Sequence, residues 1–207
     1  MHYAALASGS KGNCHALSDG GLTLLIDAGI SLRQIRQRLD GLGLGAGEVR
    51  ALALTHEHSD HIGALGVILR RTEWAILATP ETRRAAEWAQ GVQIPTERWI
   101  ALEAGRPLDW EGWRILPFAL PHDAADPVAY RVEAGGFACA VATDLGHPTA
   151  LVADHLQDLD LLRRGEGDGV GDAEFRRGQA GDFGKHFERL LHRPVALGVP
   201  KNVTLAH

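Results

Sequence analysis

Between His2 and Leu162 short apolar runs alternate with stretches in which apolar residues recur every three or four positions. "YAALA" and "LTLLID" (Leu22 to Asp27) read as strands, with Ser18-Asp19-Gly20-Gly21 as turn chemistry before the second. Ser31 then caps a helix whose Leu32, Ile35, Leu39 and Leu42 share one face, and the glycines of "GLGLGAG" end it. "VRALALT" is a further strand and "IGALGVILRR" a buried helix. "AILAT" is the next strand, after which Pro80 opens the helix "PETRRAAEWAQ". From Trp99 onward strands dominate: "WIAL", "WRILPFAL", "VAYRVEA" and "FACAVATD", the last two joined at Gly135-Gly136. Strands interleaved with helices early, then strands in succession, predict one α/β layered domain over residues 1–207. The pattern lapses after Leu162, where a glycine-rich, mixed-charge stretch (165–185) reads as loop.

Composition changes this picture little. An apolar fraction of 45% and a charged fraction of 23% are those of an ordinary globular chain. A net charge of −5 gives no bulk attraction to nucleic acid, although a metal site reverses the field locally. No segment approaches a membrane span, and "MHYAALASGS" lacks the basic and apolar regions of a secretory signal, so a cytoplasmic protein without a membrane partner is expected. Cys14 and Cys139 read as two small buried residues in a reducing compartment. The five tryptophans are expected to pack in a core or on a helix face, not to stack on bases.

The concentrated chemistry lies in "LALTHEHSDHIGAL" (52–65), where three histidines and two acids occupy six positions between apolar runs. His56 and His58 are two apart, so an extended backbone aims both the same way. Asp60 and His61 fall at the entry to the next helix and can reach back. Imidazoles with carboxylates suit two adjacent divalent ions, zinc first, with manganese and iron accepting the same ligands. A solvated polar loop is the bland alternative. His122 in "FALPHDAADP" and Asp144 in "ACAVATDLGH" each follow an apolar strand as well. Alone, His122 is an ordinary loop histidine and Asp144 an ordinary helix cap. Three strand ends carrying ligand-type residues point instead to one sheet edge, where α/β proteins build sites. The loop Ser8-Gly9-Ser10-Lys11-Gly12-Asn13 offers amides and a cation to an anionic substrate, with Ser10, Lys11 and Asn13 as the candidate binding residues. It is equally legible as a plain glycine-containing hairpin loop.

"THEHSDH", "HDAADPVAYRVE" and "VATDLG", with "LASGSKGN" and "LLIDAG" ahead of them, resemble the metallo-β-lactamase fold superfamily, nearest its YycJ/WalJ-like nuclease branch. The resemblance runs from Met1 to about Leu162 and implies an αββα sandwich with metals at one edge of the paired sheets. It implies that His56, His58 and His122 hold one ion and Asp60 and His61 a second, with Asp144 bridging. Asp27 would orient the ligands from behind. The implied activity is metal-dependent hydrolysis, with a phosphodiester and hence nucleic acid as favoured substrate, and with Asp60 and Asp144 steadying the attacking water. Small esters and thioesters, or metal binding without turnover, are the alternatives. The resemblance lapses in the last third: the family's "EANHD" is missing, and Gly178-Gln179-Ala180 stands about where "GHLSN" belongs. His186 and His207 are the candidate replacements for the lost histidine ligand.

Overall fold

The computed structural model describes residues 1–19, 21–145 and 149–164. The loop expected at 165–185 and the candidate ligands His186 and His207 lie outside the described residues. Among these residues eleven strands form two sheets. The first holds β1 (His2–Ala7), β2 (Cys14–Ser18), β3 (Thr23–Ile26), β4 (Val49–Ala53), β5 (Ala75–Ala78) and β6 (Trp99–Ala101), adjacent in chain order. The pairs β1–β2 and β2–β3 are antiparallel, while β3 to β6 run parallel. The second sheet holds β7 (Leu108–Trp110), β8 (Trp113–Ala119), β9 (Val128–Ala134), β10 (Phe137–Ala142) and β11 (Leu161–Arg164) in the order β11-β10-β9-β8-β7. Only β10–β11 is parallel there.

The alternation of each strand sorts its side chains between two cores. Leu24 and Ile26 of β3, Ala51 and Ala53 of β4 and Leu77 of β5 face Ile115, Tyr130, Val132 and Val141 of the other sheet. The opposite face, with Leu25, Leu52 and Ile76, is covered by four helices. They are α1 (Leu32–Gly41), α2 (Ser59–Ile62), α3 (Leu65–Arg71) and α4 (Pro80–Gln90). A short α5 (Ala150–His155) sets Val152 against Phe118, Ala129 and Ala140 on the outer face of the second sheet. The layer order is α/β/β/α, the sandwich expected from the sequence.

Local chemistry explains the helix ends. Ser31 and Gln34 make a reciprocal capping box: the Gln34 amide donates to the Ser31 hydroxyl, and the Ser31 amide to Gln34 Oε1. Thr79 caps α4 ahead of Pro80, and Gly91 closes it at φ 60°. Leu42, expected on the buried face of α1, instead caps that helix and is 56% exposed. "IGALGVILRR" is not one helix: it holds the last residue of α2 and the whole of α3, with a break at Gly63-Ala64. Trp88 also departs from expectation: it stands 87% exposed on α4, whereas Trp74 and Trp113 are buried. Both cysteines are free and buried as expected. Burial pushes the Cys139 thiol up to about 12 and raises that of Cys14 too, which favours the protonated thiol in both.

One hydrogen bond ties the sheets together next to the functional edge. The Tyr130 hydroxyl of β9 donates to the Leu54 carbonyl just beyond β4 at 2.6 Å, in a fully buried position. Tyr130→Phe strips that carbonyl of its side-chain partner, and the expected loss is about 1–2 kcal/mol in urea unfolding, with the fold retained.

Candidate metal centre

The parallel strands β3 and β4 and the strands β8 and β10 of the second sheet all deliver their C-terminal ends to one edge. The Val128 amide, donating to the Thr55 carbonyl at 3.0 Å, pins the two sheets together there. Asp27 follows β3 directly, and Asp144 lies two residues beyond β10. Both adopt a left-handed backbone, at φ 61° and 55°. That conformation costs most residues about 1 kcal/mol, and aspartate tolerates it better than bulkier side chains. It turns both carboxylates back towards the loop after β4.

That loop brings His56, His58, Asp60 and His61 together, and His122 arrives from the far side. His56 Nε2 lies 3.1 Å from His58 Nδ1, which in turn lies 3.3 Å from His122 Nε2. Ligand atoms of His56, His58 and His122 form one cluster, and those of His56, His61 and Asp144 another, each within 4.8 Å. Asp60 Oδ2 lies 3.4 Å from His61 Nε2, beside the second cluster. All six residues expected as ligands therefore meet, although they are drawn from positions 56 to 144 of the chain.

Asp27, wholly buried, organises the centre. It accepts from the Thr55 amide at 2.9 Å and the Thr55 hydroxyl at 2.8 Å, and from His61 Nδ1 at 2.7 Å. With its proton committed to Asp27, the Thr55 hydroxyl accepts from His56 Nδ1, 2.9 Å away. Both imidazoles thereby engage Nδ1 and turn Nε2 into the cluster. Burial lowers His56 to about 3, so it stays a neutral ligand. Burial also opposes charge on His61, but the carboxylates of Asp27 and Asp144 outweigh it and raise that imidazole to about 10. A cation arriving at His61 Nε2 displaces this proton. Asp144 is held low: burial disfavours its charge, and His61 more than offsets that.

The opening loop is clamped onto the same centre. The Asn13 amide nitrogen donates to the Asp60 carbonyl at 2.7 Å, and the Gly29 amide donates to the Asn13 carbonyl at 2.8 Å. The Asn13 side chain is buried, donating to Asp60 Oδ2 at 3.2 Å and lying 3.0 Å from His61 Nε2, while its Oδ1 accepts from Gly9. Its polar atoms are thus shared between the centre and its own loop, whereas Ser10 and Lys11 are exposed. Sequence reasoning missed three contributors. Thr55 links Asp27 to His56, and its signal is a hydroxyl directly before the first histidine. Glu57 accepts from the Ala125 amide at 2.9 Å and so fixes the His122 loop. Gly29 lets the Asp60 backbone approach, which nothing in its local sequence announces.

The donor set fits a divalent ion. A tetrahedral ion with zinc–nitrogen bonds of about 2.0–2.1 Å separates its ligands by about 3.3 Å, and the observed nitrogen spacings are 3.1 and 3.3 Å. Asp144 Oδ2 is a buried carboxylate oxygen 2.9 Å from His61 Nε2, so a cation there would take the place of the proton that pairs them.

The metallo-beta-lactamase superfamily model matches residues 8–148, which include every one of these residues. The chain belongs to that superfamily. An exodeoxyribonuclease YycJ of Bacillus anthracis is 31% identical over 80% of this chain and 66% of its own length. An exodeoxyribonuclease WalJ of Streptococcus pneumoniae is 30% identical over 76% of this chain and 59% of its own. The chain thus spans about three-fifths to two-thirds of those relatives. Zn(2+)-bound PqqB of Methylobacterium extorquens superposes with a TM-score of 0.63 at 19% identity, covering 80% of this chain and 72% of that one. Membership in the superfamily implies divalent-metal binding, and the two clusters are the fitting place for it. Among the described residues no helix is long and apolar enough to cross a membrane.

A β-carbon on Gly29 would fall 1.6 Å from the Asp60 carbonyl oxygen and 2.7 Å from the Asn13 nitrogen. Gly29→Ala must push the ligand loop outward. The expected cost is about 1–3 kcal/mol in urea unfolding, with zinc affinity down about tenfold or more in calorimetric titration of the metal-stripped protein.

Proposed function

We propose that this superfamily member is a metal-dependent phosphodiesterase acting on nucleic acid. The observation that carries this reading is the meeting of two ligand clusters at His56, which supports two adjacent cations at this edge of the sheets. Adjacent ions of this kind serve in-line displacement at phosphorus. The nuclease names of the two relatives support the choice of substrate.

In this reading His56, His58 and His122 hold one ion and Asp60, His61 and Asp144 the other, with zinc the best match to the imidazole-rich set. When bound, the ions supply Lewis acidity and a water acidic enough to attack near neutral pH. The protein supplies the rest. Asp60 and Asp144 are part-exposed, at 29% and 32%, beside the buried His56 and His61. They are placed to take a proton from the attacking water and return it to solvent. Asp27 acts through others, keeping His61 and Thr55 aligned. Lys11 and Ser10 are exposed to meet an anionic substrate.

The test is hydrolysis of bis(p-nitrophenyl) phosphate and of single-stranded DNA by metal-stripped protein reloaded with zinc or manganese. Activity is expected only after reloading, and His58→Ala is expected to cost about 100-fold or more in kcat/KM together with one ion per chain. Full activity in His58→Ala would refute the assignment. Two bound ions with no turnover of either diester would leave a metal-binding protein without this chemistry, and turnover of a thioester alone would assign the ester-cleaving alternative.

A further inference from the structure

The two flanks of the metal edge carry opposite charge. On the β5–β6 side a cavity of about 670 Å³ is lined by Glu81, Glu103, Asp109 and Asp126, and its Arg106 pairs with Glu103 at 3.4 Å. A polyanion is repelled from that flank. On the other side a groove of about 670 Å³ lies between α1 and α3, lined by Arg33, Arg36 and Arg71 beside Leu32 and Val67, with Asp40 as its acid. No ion pair among the described residues engages these three arginines. They remain exposed cations in a chain whose net charge is −5.

The near end of this groove is tied to the metal centre through the chain. Gly29 abuts the Asp60 backbone, and α1 begins three residues later at Leu32. Gly12 packs on the Gly29 carbonyl and the Ile30 side chain, which places the neighbouring Lys11 at the point where α1 starts. Arg33 lies in the first turn of α1 and Arg36 in the second, on one face. Both α1 and α3 run back from the functional edge, because each follows a parallel strand that ends there. Arg71, at the end of α3, therefore lies at the distal end of the groove. Cations spaced along a shallow groove suit a charged backbone read without regard to sequence.

We propose that the α1–α3 groove is the track for a single-stranded nucleic acid, whose phosphates lie along Arg71, Arg36 and Arg33 and whose end passes Lys11 to reach the metals. The proposal rests on the phosphodiesterase reading and adds the direction from which the strand arrives. The acidic flank closes the opposite approach.

Binding of a fluorescent single-stranded 12-mer DNA is measured by anisotropy in EDTA, over a range of salt. The wild type is compared with Arg33→Glu/Arg36→Glu/Arg71→Glu and with Arg50→Glu/Arg84→Glu/Arg114→Glu, which makes the same charge change elsewhere on the surface. The groove variant is expected to lose about 30-fold or more in affinity and about 2 units of salt slope, while the control loses about threefold or less. Reloaded with metal, both variants are expected to cleave bis(p-nitrophenyl) phosphate at the wild-type rate, since no substituted residue touches the centre. Equal losses in the two variants would overturn the proposal, as would wild-type protein that ignores DNA but binds a polyglutamate peptide through these arginines. Failure of the wild type to cleave the small diester would count against the phosphodiesterase reading alone.

Discussion

A single buried carboxylate holds the functional edge in shape. Asp27 has no exposed surface, and an unpaired charge there would be costly enough to open the loop. It is satisfied by the Thr55 amide, the Thr55 hydroxyl and His61 Nδ1. Its own amide donates to the Ala53 carbonyl at 2.9 Å, so the same residue also joins β3 to β4. The route from Asp27 through Thr55 reaches His56, and the direct bond reaches His61. Two of the six candidate ligands are thereby oriented by one group that never meets the substrate.

The rest of the site is built by close approach. Gly29 and Asn13 bring the opening loop, the β3 end and the Asp60 turn into backbone contact. The Tyr130 hydroxyl and the Val128 amide fasten the second sheet to the loop after β4. His122 and Asp144 are carried on that sheet, so these fastenings set their distance from His56 and His58. The superfamily relation and the ligand geometry agree on a divalent-metal centre, and the charge of the two flanks adds a polarity that the ligands themselves do not carry.

Strong alternation or helical spacing made most elements legible from the residues alone. β3, β4, β9 and β10 each bury one set of side chains between the sheets and the other under helices, so their apolar runs were clear. β2 escaped because "CHALS" is short and includes a buried histidine and serine. β7 and β11 escaped because "LDW" and "LLRR" carry charged residues and lack the apolar run that marks the equally short β5 and β6. Leu42 kept the helical spacing but fell one residue past the end of α1, where the cap decides exposure. Trp88 is apolar in type, yet among the described residues no element covers its face of α4.

By itself the sequence determined which atoms are available. Imidazoles at 56, 58 and 61 and carboxylates at 27 and 60 stand beside strand ends because period and turn chemistry are local properties of the chain. Only the tertiary structure decided that His122 Nε2 comes within 3.3 Å of His58 Nδ1, that Asp144 reaches His61, and that Asn13 turns inward while Lys11 stays exposed. It also placed Arg71 alongside Arg33 and Arg36 in one groove. The physical reason is register. Such distances depend on how distant strands and helices pack against one another, and a linear pattern carries the contents of each element but not the offset between them.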